Sequence, residues 1–140
     1  MILNLTQHAA TPDQIEAGVF NLHGLEKEAL VGALTFQDLP DPEEIRERAR
    51  TIAGIAARWK SGVEHWSKSS WVDGGTKERT RAMIGGAPYL MPALERALRE
   101  AGIDPVYAFT RRETVEEAQP DGTVRKVAVF RHAGWVPAVE

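Results

Sequence analysis

"RAMIGGAPYLMPALERALREAGIDPVYAFT", residues 81–110, decides the fold. Its opening run (81–85) reads as a strand that ends on the first of two glycines, Gly85 and Gly86. From Pro88 to Ala101 the spacing is helical, with Leu94, Ala97, Leu98 and Ala101 on one stripe and Gly102 as the stop. A proline inside a helix costs about 3 kcal/mol but is tolerated in the first turn, so Pro92 draws the helix start towards Met91. "PVYAFT" (105–110) is continuously apolar, as in a strand covered on both faces. Strand, helix, strand is the unit of a parallel sheet with right-handed crossovers.

Towards the N-terminus the same alternation recurs. "ILNLTQ" (2–7) is a strand. In "TPDQIEAG" (11–18) Thr11 caps a short helix, Pro12 opens it, Gln14 completes a capping box and Gly18 ends it. "VFNL" (19–22) is a weak second strand, and 24–34 has helical spacing interrupted by Gly32. The clearest helix is "DLPDPEEIRERARTIAGIAARWKSG" (38–62). Asp41 caps it, Glu44 completes its box, and Ile45, Ala49, Ile52, Ala56 and Trp59 form one apolar face; Gly62 is the expected stop. Residues 63–80 read as a polar, aromatic-rich loop. Towards the C-terminus, "QPDGTV" (119–124) is a turn joining "RRETVEEA" to "VRKVAVFRH" as a β-hairpin, and Trp135 closes over the core. The fold expected is α/β: one three-layer Rossmann-like domain over 1–140, with a mostly parallel sheet and a C-terminal antiparallel hairpin.

Composition bounds the function. A 140-residue chain that is 43% hydrophobic builds one core. Its net charge of −3 argues against a duplex-DNA-coating protein. Without cysteine there are no disulfides, thiolate zinc sites or cysteine nucleophiles. No apolar run approaches the ~18 residues that cross a bilayer, and "MILNLTQH" lacks the basic region and apolar stretch of a signal peptide. A soluble, cytoplasmic protein is expected.

Open α/β sheets bind ligands beyond the carboxyl ends of their strands, at a switch in strand order. Three such ends carry suitable groups. Gln7 and His8 leave the first strand before a capped helix, whose N-terminus favours anions. Gly85 and Gly86 admit close backbone approach, and Tyr89 stands ready to stack or hydrogen-bond. Arg111 and Arg112 follow "PVYAFT" and suit phosphate. Each has a blander reading: His8 as a packed histidine, the glycines as a tight turn, one arginine paired with Glu113 or Glu116. GxGxxG and GxxxxGK[ST] are both absent, which argues against dinucleotide or P-loop binding, so no cofactor is expected. The histidines at 8, 23, 65 and 132 show no metal-ligand spacing, and no metal is expected. Arg131 and His132 end the last strand as a further candidate pair.

"ILNLTQHAATPDQ" together with "MIGGAPYLMPALERALREAGIDPVYAFTRRE" resembles a family of small bacterial and phage-encoded Rossmann-like proteins. Relatives with a similar opening are associated with CRISPR systems. They in turn resemble CARF domains, which bind cyclic oligoadenylates, and ring nucleases, which degrade them. The resemblance implies a homodimer whose ligand lies over Gln7, His8 and Thr11 and over Gly85, Gly86 and Tyr89; Arg111 and Arg112 have no counterpart in it.

The function expected is binding of a phosphate-bearing nucleotide or cyclic oligonucleotide. If the chain is an enzyme, the simplest chemistry is metal-independent phosphodiester cleavage, with His8 or His132 transferring protons and an arginine stabilising charge. The rival reading is an interaction module using the Trp-rich loop (59–71) and the terminal hairpin. A third is a small-molecule enzyme using the same strand ends.

Overall fold

The computed structural model describes residues 1–69 and 79–140. In chain order the elements are β1 (Ile2–Asn4), α1 (Pro12–Glu16), β2 (Val19–Asn21), α2 (Gly24–Leu34), α3 (Pro42–Ser69), β3 (Arg81–Met83), α4 (Met91–Glu100), β4 (Asp104–Ala118) and β5 (Val124–Pro137). They form one five-stranded sheet of order β2-β1-β3-β4-β5. The first four strands are parallel, and β5 returns antiparallel along β4. This is the expected α/β architecture with its C-terminal hairpin. The chain steps from β1 to β2 on one side and then to β3 on the other, so the order switches between β1 and β3.

Two apolar clusters cover the two faces. Leu3, Leu5, Leu30, Ile52, Ile55, Leu94 and Leu98 join the sheet to α2, α3 and α4. On the opposite face Ile2, Ala10, Val19, Met83 and Val106 form a smaller cluster under Trp135. Strand alternation sorts the residues: Ile2 and Met83 point one way, Leu3 and Ala82 the other.

Local chemistry explains the helix starts. Thr11 Oγ1 accepts from the Gln14 amide, and Gln14 Oε1 accepts from the Thr11 amide. Asp41 Oδ1 accepts from the Glu44 amide, but the Glu44 carboxylate takes Arg48 instead of the Asp41 amide, so only half of the expected capping box forms. Pro92 falls in the first turn of α4, which therefore begins at Met91.

Several expectations need correction. β1 ends at Asn4 rather than Gln7. Gly62 does not stop α3, which continues to Ser69; an exposed glycine costs a helix about 1 kcal/mol, too little to end one already packed along its length. Residues 63–69 are thus helical rather than loop, and 70–78, with Trp71, lie outside the described residues. Trp59 belongs to α3 and packs 6.0 Å from Phe20 at the outer strand. β4 is covered on both faces only at Pro105 and Val106, because β3 ends opposite Val106 and β4 runs twelve residues further. Beyond that point β4 and β5 form a two-stranded arm.

Candidate functional site at the carboxyl edge

The carboxyl ends of β1 and β2 are occupied by Asn4 and Asn21, which face each other in register. Asn4 is 1% exposed and uses its whole carboxamide. Nδ2 donates to His8 O and to Asn21 Oδ1, both at 2.8 Å. Oδ1 accepts from the Thr6 amide at 2.9 Å and from Thr6 Oγ1 at 2.6 Å. Asn21 Oδ1 also accepts from the Ala10 amide at 3.0 Å. Two asparagines thereby pin residues 6–10 into an arch, leaving Gln7, His8 and Ala9 exposed on its crest.

Lys27 of α2 reaches over the arch, and its Nζ donates to Thr6 O at 3.0 Å. Among the described residues the ammonium has no carboxylate partner, so two of its three N–H groups remain open. The loop after β3 closes the other side: a Cβ on Gly85 would lie 3.5 Å from Thr6 Cγ2. Gly86 answers why a double glycine stands here. Its φ is +143°, a conformation that a side chain disfavours, while the space around it is ordinary. A Cβ on Gly86 would meet Leu34, so α2 runs across the carboxyl edge from the β1 arch to the β3 loop.

Arg48 ties this crossing helix down. Its guanidinium donates to the carbonyls of Gly32, Ala33 and Thr35 and to Glu44, and it stacks 4.5 Å from the Phe36 ring. Tyr89 packs edge-on against the same ring, centroids 5.2 Å apart. A cavity of ≈ 450 Å³ opens beside this clasp, lined by Gly32, Thr35, Gln37, Asp38, Glu44 and Arg48. Its arginine is consumed by the α2 carbonyls, so the cation open to an anion is Lys27, at the other end of α2.

The expected site residues thus divide. Gln7 and His8, on the loop after β1, and Gly85 and Gly86, on the loop after β3, lie at neighbouring strand ends on the carboxyl edge, where Gly85 approaches Thr6. Thr11 opens the next helix: its amide donates to Gln14 Oε1, its hydroxyl oxygen accepts from the Gln14 amide, and Asp13 places a carboxylate in the same turn. The capping box thus takes two of the amides that an anion at that helix end would use, and the Asp13 charge opposes one there. Tyr89 serves Phe36. Arg111 and Arg112 are not at a strand end: they lie in mid-β4, five and six residues past Val106, or about 17–20 Å along the strand. Arg131 and His132 are also internal to β5, and Arg131 pairs with Glu113 at 2.8 Å. His132 sits opposite Thr110 at a bulge, its ring 4.5 Å from Trp135. Its Nδ1 is enclosed and has no hydrogen-bond partner among the described residues. Asn4, Asn21, Lys27 and Arg48 were not anticipated. An asparagine ending each of the first two strands was a readable signal; nothing local marked either cation.

Among the described residues no three His, Asp or Glu side chains converge in a metal-binding group, and no helix is long and apolar enough to cross a membrane. In comparisons with known proteins, the model of the Uncharacterized protein MJ1673 family matches residues 1–136. No curated protein and no solved structure matches the chain.

Proposed function

We infer that this chain, which belongs to the Uncharacterized protein MJ1673 family, binds a phosphate-bearing nucleotide at the carboxyl edge between β1 and β3, a cyclic oligonucleotide signal being the ligand that its sequence resemblance favours. The observation that carries the reading is the Lys27 ammonium. It sits 3.0 Å from Thr6 O in no ion pair among the described residues, above an arch tied down by Asn4 and Asn21. A fixed cation over a preorganised backbone loop, at the switch in strand order, suits an anionic ligand.

Turnover is the second part of the reading. In a ribonucleotide phosphodiester the 2′-oxygen attacks its own phosphorus while the 5′-oxygen leaves, giving a 2′,3′-cyclic phosphate and a free 5′-hydroxyl. His8, exposed on the crest, would take the proton from the 2′-hydroxyl. Lys27 would stabilise the charge gathering on the phosphoryl oxygens. His132, enclosed against Trp135, would need its ring released before returning a proton.

Thermal-shift titrations with mono-, di- and cyclic nucleotides test this. At one hundred times its dissociation constant a ligand adds about 2.7 kcal/mol, a rise of several degrees. The rise should vanish in Lys27→Ala and persist in His8→Ala, which should lose cleavage alone. Absence of any shift with every nucleotide would overturn the reading.

The arm supports a second reading, an interaction module, through its exposed Phe109 and Phe130.

A further inference from the structure

The β4–β5 arm leaves the body at Val106, and from Tyr107 to Ala118 the edge of β4 that faced β3 has no partner strand among the described residues. Twelve residues extend about 40 Å. A two-stranded ribbon this long is marginal alone in water, and Phe109 (51% exposed) and Phe130 (69%) stand open on it. Its middle carries an unbalanced charge. Arg111 lies directly across from Arg131, Arg112 follows on the other face of the ribbon opposite Phe130, and Glu113 answers Arg131 alone. Like charges directly opposite on two strands disfavour each other unless an anion intervenes.

The complement lies at the other end of the same sheet. β2 is the opposite edge strand, its outer side unpaired among the described residues, and Phe20 on it is half exposed. Asp13 and Glu16 on α1, which leads into β2, and Glu26 and Glu28 in the first turns of α2, which follows it, are exposed, with no cationic partner among the described residues. A two-fold axis normal to the sheet, placed beyond the carboxyl edge, exchanges the two ends. It brings β2 of a second copy alongside the open edge of β4 and reverses its direction, so the two run antiparallel. One rotation forms both contacts, as a self-complementary interface requires.

We propose that the chain is a homodimer in which the arm of each protomer pairs along the β2 edge of its partner, with Arg111 and Arg112 set against the partner's α1 and α2 acids. Main-chain hydrogen bonds supply the pairing, and the edges of β2 and β4 are both covered. Resting on the nucleotide reading, the same placement carries Arg111 and Arg112 across to the partner's carboxyl edge, about 17–20 Å beyond the end of their own β3.

Sedimentation equilibrium of the full chain, without nucleotide, tests the dimer. The mass should be twice the 15.5 kDa of one chain, and dissociation should strengthen between about 50 mM and about 500 mM NaCl. Arg111→Glu/Arg112→Glu should sediment as a folded monomer. Adding Asp13→Lys, Glu16→Lys, Glu26→Lys and Glu28→Lys to that chain should restore the dimer. A wild-type monomer at about 100 μM protein, well above the dissociation constant of a micromolar complex, overturns the proposal. So does a dimer that neither salt nor the arm variant weakens, or an arm that instead retards single-stranded RNA as a monomer. Salt dependence of the wild type decides the matter if the arm variant fails to fold. Nucleotide binding at Lys27 is scored separately: a monomeric arm variant that still binds keeps the nucleotide reading, and a dimer that binds none loses it.

Discussion

Replacing Asn4 by alanine should cost about 3 kcal/mol of stability, and the figure follows from its bonds. The Thr6 amide, only partly buried, would lose its carboxamide acceptor, which costs about 1 kcal/mol, the low end for an orphaned donor. His8 O and Asn21 Oδ1 would each lose a donor but keep another, Thr6 Oγ1 and the Ala10 amide respectively. Those two lost bonds contribute about 0.5–1.5 kcal/mol each. For a domain of this size the sum lowers Tm by roughly 10 °C. Urea denaturation reads it as a shift in midpoint at constant slope. Asn21→Ala should cost less, since Asn21 is only half-buried, and the double mutant should fall short of additivity because both residues share the 2.8 Å amide bond. Hydrogen exchange adds a local readout: the Thr6 amide should lose protection in Asn4→Ala. A loss below about 1 kcal/mol, or full additivity with Asn21→Ala, would refute the idea that this pair organises the arch.

Arg48→Ala should loosen α2 from α3, costing about 2–3 kcal/mol and speeding amide exchange in residues 24–34, because three carbonyls and Glu44 lose their common donor. Burial, and then the Glu95 carboxylate that accepts a 2.7 Å hydrogen bond from its hydroxyl, push the ionisation of Tyr107 above the ordinary tyrosine range. The unfolded chain therefore releases this proton first, so stability should fall as pH rises past about 10. Urea midpoints across that range should show the fall in wild type and a shallower one in Tyr107→Phe. Gly62→Ala should stabilise by about 0.5–1 kcal/mol, since a Cβ there meets open space in mid-α3. Gly86→Ala should destabilise through its φ of +143°, a contrast that paired thermal melts would show.

Much of the fold was legible because its causes are local. Thr11 and Gln14 cap each other within four residues, the apolar face from Ile45 to Trp59 repeats at helical spacing, and the Pro-Asp-Gly turn folds β5 back on β4. Half of the site was legible for the same reason: strand ends name the loops that follow them, so His8 and Gly85 could be placed at one edge. Where α3 stops was not legible, because tertiary packing outweighs a single glycine. Nor was the fate of Arg111 and Arg112, since an apolar run followed by arginines looks alike whether the strand ends there or continues past its neighbour.

By itself, then, the sequence determined the alternation of strands and helices, the capping of α1 and α3 and the terminal hairpin, all settled by residues a few positions apart. The tertiary structure alone decided how far each strand has a neighbour and which side chains meet across distance. Asn4 finds Asn21, Lys27 finds Thr6, and Arg48 finds the end of α2, over separations of 17, 21 and up to 16 residues. Those meetings depend on strand order and on the crossing of α2 over the edge. Short-range spacing carries no record of either, because a hydrogen bond between distant residues imposes no periodicity on the chain between them.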